Sequence, residues 1–217
     1  MFFVLDGIKL HQTSMATQKT QSAKMGRPRE FREDVALDAA MRVFWEKGYE
    51  GTSLDDLTVA MGINRSSLYS TFGDKQELFQ KVMKRYESGP MAFLFQALTQ
   101  PTAHKAIETL LRSIVDFLVD PSHPKGCLSL QGGMACGTGA EKVKQTMIDW
   151  RKGAIQPIAK RLQRAQSEGD LSKDADARDL ARYIIVVMNG LCVQAVNGAT
   201  RSEMNRAVDL ALRAIAS

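Results

Sequence analysis

Two groups of residues in this 217-residue chain have types and spacing that can do chemistry. The first is a thiol. Cys127 stands in Lys125-Gly126-Cys127-Leu128, just after Pro124 and at the expected start of a helix. A helix N-terminus and a neighbouring cation both favour the thiolate, the form that attacks oxidants and electrophiles. The competing reading is a buried small apolar residue, because free cysteine packs as one. His123, four residues earlier, makes a Cys–His nucleophile and base pair conceivable. A surface histidine in a turn between Pro121 and Pro124 is the plainer reading. Cys136 lies nine residues beyond Cys127, roughly 13 Å away on a continuous helix. A disulfide needs α-carbons within about 7 Å, so the two bridge only if Gly132-Gly133 breaks the helix. Cys192, between Leu191 and Val193, reads as core or interface.

The second group is Arg65-Ser66-Ser67-Leu68-Tyr69-Ser70. Leu68 and Phe72 are four apart and share one helix face. If that face is buried, Arg65, Ser66, Ser67, Tyr69 and Ser70 point outward. One arginine and small hydroxyls at the start of such a helix can enter a major groove and reach base edges. Tyr69 and Lys75 can bond phosphates, and helix N-termini at Ser53 and Asp74 offer free amides to the same anions. Upstream, Gly26-Arg27-Pro28-Arg29 puts Arg27 and Arg29 in a stiff, narrow segment suited to an A·T-rich minor groove.

The elements that must position these residues follow from periodicity and caps. Val35, Ala36, Ala39, Ala40, Val43 and Phe44 recur at three- and four-residue spacing and predict a helix over 31–47, ended by Gly48. Ser53 with Asp56 predicts a capping box opening a short second helix that stops at Met61-Gly62. Gly62 supplies the positive φ of a sharp turn and Ile63 plugs the corner. Asn64 caps a third helix, Arg65 to Phe72. Asp74 with Glu77 opens a fourth, broken at Gly89-Pro90. Further helices are predicted near 91–98, 102–119, 126–136, 141–168, 174–197 and 202–216, with no trustworthy strand pattern. The fold class is all-α: a three-helix DNA-binding head with a helix-turn-helix, then a larger helical ligand-binding and dimerisation body. The divisions are a disordered leader (1–24), the head with its basic arm (25–73) and the body (74–217).

The strings Gly48-Tyr49-Glu50-Gly51-Thr52-Ser53-Leu54-Asp55-Asp56-Leu57, Met61-Gly62-Ile63-Asn64-Arg65-Ser66-Ser67-Leu68-Tyr69 and Phe72-Gly73-Asp74-Lys75-Gln76-Glu77-Leu78-Phe79 resemble the signature of the tetracycline-repressor (TetR) family across its whole head. That resemblance places Thr52, Arg65, Ser67, Tyr69 and Lys75 at DNA-contact positions. Ser70 departs from it, since a larger residue is frequent there. It also implies pairing of the last two helices into a four-helix homodimer interface, with Tyr183, Val187, Leu191, Met204, Val208 and Leu212 as candidates. Two recognition helices about 34 Å apart then read a palindrome on double-stranded DNA. The implied mechanism is repression relieved by a small-molecule effector bound in the body.

Residues placed to line an effector pocket are Phe93, Phe95, Phe117, Cys127, Met134, Trp150 and Met188, which suit a small, mostly apolar ligand. A formal net charge of +5 favours an anionic partner without naming it. An odd cysteine count argues against a disulfide-stapled secreted domain and for a reducing cytoplasm. No apolar run reaches the roughly 18 residues that span a bilayer, so no membrane partner is expected. The sequence offers no phosphate loop, metal-spaced His/Cys cluster or triad; no enzyme activity, cofactor or metal is expected. The alternative is a redox or electrophile switch, or thiol enzyme, centred on Cys127.

Overall fold

In a computed structural model the described residues are 31–134 and 141–215, with only the backbone of 132–134. The leader, the Arg27/Arg29 arm and Cys136 lie outside them. Helix α1 (Glu33–Gly51) buries Ala36, Ala40, Met41, Phe44 and Trp45, the face that the spacing predicted. Its expected end at Gly48 is a break in φ/ψ (φ 69°) within a helix that runs on to Gly51. Helix α2 (Leu54–Met61) starts from the Ser53–Asp56 box, and Gly62 follows in the left-handed region at φ 65°. Helix α3 (Arg65–Phe72) is capped by Asn64, whose side chain accepts from the Ser67 N–H at 2.8 Å. Helix α4 (Lys75–Ser88) opens on the Asp74–Glu77 box. Each box satisfies two backbone donors that the first turn would otherwise leave open.

Leu57, Met61, Leu68 and Phe72 close the core of the three short helices, and Ile63 is half-buried at the turn. Helix α4 is locked onto α1. Phe79 meets Phe44 edge-on at 5.1 Å, and Arg85 donates twice to Asp38 at 2.9 Å. Movement of α4 is therefore movement of α1.

The body follows as α5 (Phe93–Ala97), α6 (Ala103–Val119), α7 (Leu128–Met134), α8 (Glu141–Glu168), α9 (Ala177–Val196) and α10 (Arg201–Arg213). These match the expected segments to within about three residues at each described end, and there is no strand among the described residues. Arg112 on α6 ties α10 in place through Asn205 and Asp209. Helix α9 packs on α6, α8 and α10. Contrary to the sequence expectation, it is long and apolar enough on length and composition to cross a bilayer, with about a third of it buried.

Head and body are joined at one seam. The loop before α7 is hydrogen-bonded to α1: Arg42 donates to the Ser122 carbonyl at 2.8 Å and the Trp45 indole to the Gly126 carbonyl at 3.3 Å. Gly126 has φ 81°, and a Cβ there would collide with Val196 on α9, so three elements meet at this glycine.

Candidate functional site

Helix α3 turns Leu68 and Phe72 inward and leaves Arg65, Ser66, Tyr69 and Ser70 exposed. The Tyr69 ring is 50% exposed, an uncommon position for an aromatic with no partner to cover it. Ser67 is half-buried, its N–H spent on the Asn64 cap and its carbonyl on the Ser70 hydroxyl. Arg65 lies 2.8 Å from Asp55 of α2, both exposed, so the pair is a weak, exchangeable tether. The Lys75 ammonium sits 4.4 Å from the centroid of the Tyr49 ring at the start of α4. Thr52 corrects the sequence reading: it is 1% exposed, its hydroxyl donates to the Gly48 carbonyl at 2.6 Å and its N–H bonds Tyr49. Both of its donors hold the Gly48 break, so it positions α2 from inside and does not face outward.

The body holds a cavity of about 360 Å³, walled by Met91, Leu94, Ile114, Trp150, Met188 and the cysteines Cys127 and Cys192 among others. Of the expected lining, Phe95, Cys127, Trp150 and Met188 are in the wall. Phe93 and Phe117 are not. Phe117 stacks on His123 at 4.2 Å and on Trp45 at 5.7 Å, and Phe93 leans on Phe117 at 5.6 Å, so both belong to the seam. The Met134 side chain lies outside the described residues. Pro157, Arg151 and Asn189 were missed. A proline inside a helix was the available signal: it leaves the carbonyl four residues back, that of cavity-lining Gly153, without its helical donor. The Trp150 indole N–H is buried and has no partner among the described residues. Largely apolar walls with the unpartnered Trp150 N–H, and with Arg151 and Asn189 in the lining, suit a mostly apolar molecule bearing a small polar group.

Cys127 is buried, and its surroundings differ from those expected. The sulfur accepts from the Tyr86 hydroxyl at 3.3 Å, lies 2.9 Å from the Ser129 hydroxyl, and shares the cavity wall with Cys192. Cys192 first, then Ser129 and Tyr86, draw the Cys127 thiol below its ordinary range, against the burial that opposes them. Cys192 shifts the other way, through its neighbour Cys127 first and through burial. The Tyr86 hydroxyl, fully buried, is also pushed up, by desolvation first. His123 plays no part: its Nδ1 faces the Pro124 carbonyl at 2.9 Å and its ring is sandwiched between Trp45 and Phe117. The Cys–His pair considered from the sequence does not form. The sequence offered only Cys136 as a neighbouring thiol, too far along a continuous helix, whereas the thiol that shares the wall with Cys127 comes from α9, which no local pattern reveals.

The dimer candidates divide. Leu191, Met204, Val208 and Leu212 are buried in the protomer and close its own core, and Val187 is half-buried. Helix α9 turns Ile184, Met188, Leu191 and Ala195 inward, so the residues one step round the helix face out. Those are Tyr183 at 38% exposed, Val186 at 66% and Val193 at 46%, beside Leu210 on α10 at 62%.

Short capped helices around a left-handed glycine, an outward Arg-Ser-Tyr face and a hollow helical body define a helix-turn-helix DNA-binding regulator. The chain belongs to the TetR family. Residues 36–82 match the bacterial regulatory proteins of the tetR family, and residues 103–211 match the tetracyclin repressor-like C-terminal domain. It is 28% identical over 205 residues to the HTH-type transcriptional repressor ComR of Escherichia coli K12, covering 92% of this chain and 97% of that one. It is 35% identical over 162 residues to the uncharacterized HTH-type regulator YezE of Bacillus subtilis 168, covering 74% and 84%. Among solved structures, a cysteine mutant of the TetR family regulator CifR complexed with 26-bp double-strand operator DNA superposes with a TM-score of 0.84 at 36% identity, covering 87% of this chain and 99% of that one.

Proposed function

We propose that the chain acts in the cytoplasm as a homodimeric repressor, with a head over 25–73 and a body over 74–217, released from a palindromic operator by a small, mostly apolar effector. The observation that carries this reading is the outward face of α3. Arg65, Ser66, Tyr69 and Ser70 stand exposed on a helix whose other face is core, the disposition that groove readout requires. Arg65, Ser66 and Ser70 are placed for bases; Tyr69, Lys75, Ser67 and the capped N-termini of α2 and α4 for phosphates; Arg27 and Arg29 for the minor groove. CifR's complex with operator DNA supports double-stranded DNA as the partner. Tyr183, Val186, Val193 and Leu210 form the apolar stripe that a second copy covers.

The effector occupies the cavity between α5, α6, α8 and α9, with the Trp150 N–H and Gly153 carbonyl for its polar group. Its effect reaches the head through the seam at Gly126 and through α4. Coupling requires only that it prefer the arrangement in which the two recognition helices no longer match the operator spacing. No catalytic role is assigned: the histidine that a thiol enzyme would need makes no hydrogen bond to Cys127 among the described residues.

The test is fluorescence anisotropy of the purified protein on its own upstream intergenic DNA across a salt series. Tight binding with a steep salt slope, lost in Tyr69→Ala, supports the reading. Weak, sequence-independent binding at low salt overturns it.

A further inference from the structure

Cys127 and Cys192 are both 5% exposed or less, stand 65 residues apart in sequence, and line the same voids between α7 and α9. Together they form part of the cavity wall. Packing alone needs no such pair, since two small apolar side chains would fill the space without sulfur chemistry. The Tyr86 hydroxyl donates to the Cys127 sulfur and the Ser129 hydroxyl lies 2.9 Å from it, contacts that favour the thiolate in an apolar chamber. The second thiol, Cys192, faces the same void from α9.

We propose that Cys127 and Cys192 are a paired thiol site that reduces an apolar organic hydroperoxide admitted to the cavity and closes to a disulfide. The Cys127 thiolate attacks the terminal peroxide oxygen. The O–O bond breaks, an S–O bond forms, and the departing alkoxide takes up the proton that Cys127 had released on ionising. The sulfenic acid then condenses with the Cys192 thiol: the S–S bond forms, and the sulfenic hydroxyl leaves with the thiol proton as water. Two thiols are oxidised and one hydroperoxide is reduced to its alcohol. The apolar walls select an organic hydroperoxide over hydrogen peroxide.

The site lies on the seam. Cys127 adjoins Gly126, the acceptor of the Trp45 indole of α1, and its sulfur is the acceptor for Tyr86 of α4, whose ring meets Trp45 edge-on at 5.0 Å. Disulfide closure takes the anionic acceptor from a fully buried hydroxyl and pulls on α9. The chemistry stands on the thiol geometry; its effect on DNA rests on the repressor reading above.

The experiment uses full-length protein carrying Cys136→Ser, treated with one equivalent of cumene hydroperoxide. Intact mass should fall by about 2 Da, non-reducing peptide mapping should join Cys127 to Cys192, and dithiothreitol should reverse both. Cys192→Ser should stop at a sulfenic acid trapped by dimedone, and Cys127→Ser should not react. Tyr86→Phe keeps the ring, and hence the fold, and should slow the reaction at least threefold. Cumene hydroperoxide should outpace hydrogen peroxide by a similar factor. An unmodified Cys127, dimedone trapping undiminished by Cys192, or a cross-link between two protomers overturns the site; hydrogen peroxide reacting faster overturns the apolar substrate. Operator affinity of the oxidised form should fall at least tenfold. A disulfide without that loss overturns the regulatory consequence. Reduced protein that never binds its operator overturns the repressor reading while the mass data still judge the site.

Discussion

Gly73 separates the recognition helix from α4, and replacing it with alanine tests how the head is held. Its backbone sits at φ 83°, ψ −152°, a region essentially confined to glycine. Forcing another residue there costs about 1–3 kcal/mol. The added Cβ would also overlap the Glu77 carboxylate, which is accepting the Asp74 N–H at 3.0 Å. Glu77 must swing away, and losing its half of the cap costs about 0.5–1 kcal/mol more. The sum is about 2–4 kcal/mol, which for a chain of this length lowers Tm by roughly 4–16 °C. Gly62→Ala is the internal control. Gly62 is also left-handed (φ 65°, ψ 30°), but a Cβ there meets nothing within 4 Å. Only the conformational cost of about 1–2 kcal/mol applies, and Gly62→Asn should cost less still, since asparagine tolerates this region. Thermal melts followed by far-UV circular dichroism should rank Gly73→Ala below Gly62→Ala below Gly62→Asn. A Gly73→Ala protein melting within about 2 °C of the parent, well short of that range, would refute the reasoning.

Arg65→Ala should weaken operator binding roughly tenfold to a hundredfold and relax discrimination at one base pair per half-site, with Arg65→Lys recovering only part of it, as measured by anisotropy on operator variants. Leu210→Lys on the exposed stripe should yield folded monomers in sedimentation equilibrium, whereas Val208→Lys, at a fully buried position, should fail to fold. Leu210→Lys remaining dimeric would move the interface elsewhere. Two capping carboxylates are held below their ordinary range, Asp56 first by Lys47 and Glu203 first by the Thr200 N–H. Their contribution to stability is therefore complete above the unfolded carboxylate pKa near 4 and is lost as pH falls through the lower folded values. Tm should hold from pH 7 to about 5 and drop below about 4, the drop being shallower in Asp56→Asn; a Tm unchanged down to pH 2 would contradict this.

The head was legible because its determinants are local. Ser53, Asn64 and Asp74 each reach a backbone N–H within three residues, and Gly62 sets its turn alone. The inward Leu68 and Phe72 then fix the outward Arg65 and Tyr69. Thr52 was misread because its partner is the carbonyl of Gly48, exposed by a break in α1 that periodicity does not register. In the body, helix limits were legible but facing was not. Every α9 position from Tyr183 to Leu191 is apolar except Asn189 and Gly190, so the pattern carries little phase, and Leu191 was placed on the outside when it lies within. Phe93 and Phe117 have the right type for a pocket and the wrong address. Which apolar residue lines a void depends on how helices distant in sequence cross, and no spacing rule encodes that.

The seam explains why these errors cluster. Phe117, His123, Trp45 and Tyr86 form one stacked and edge-on group between α1, α4, α6 and the loop before α7. The group joins the cavity wall to the head beside the direct α1–α4 contacts: α1 touches the loop through Arg42 and Trp45 while α4 touches Cys127 through Tyr86. Rigid aromatic packing transmits displacement with little slack. Cys127 faces the cavity on one side and Tyr86 on the other, so a ligand or a new bond at that sulfur displaces the group directly. Phe93 and Phe117, which suit a ligand contact by type, thus sit one layer behind the wall, in the group that joins it to the head.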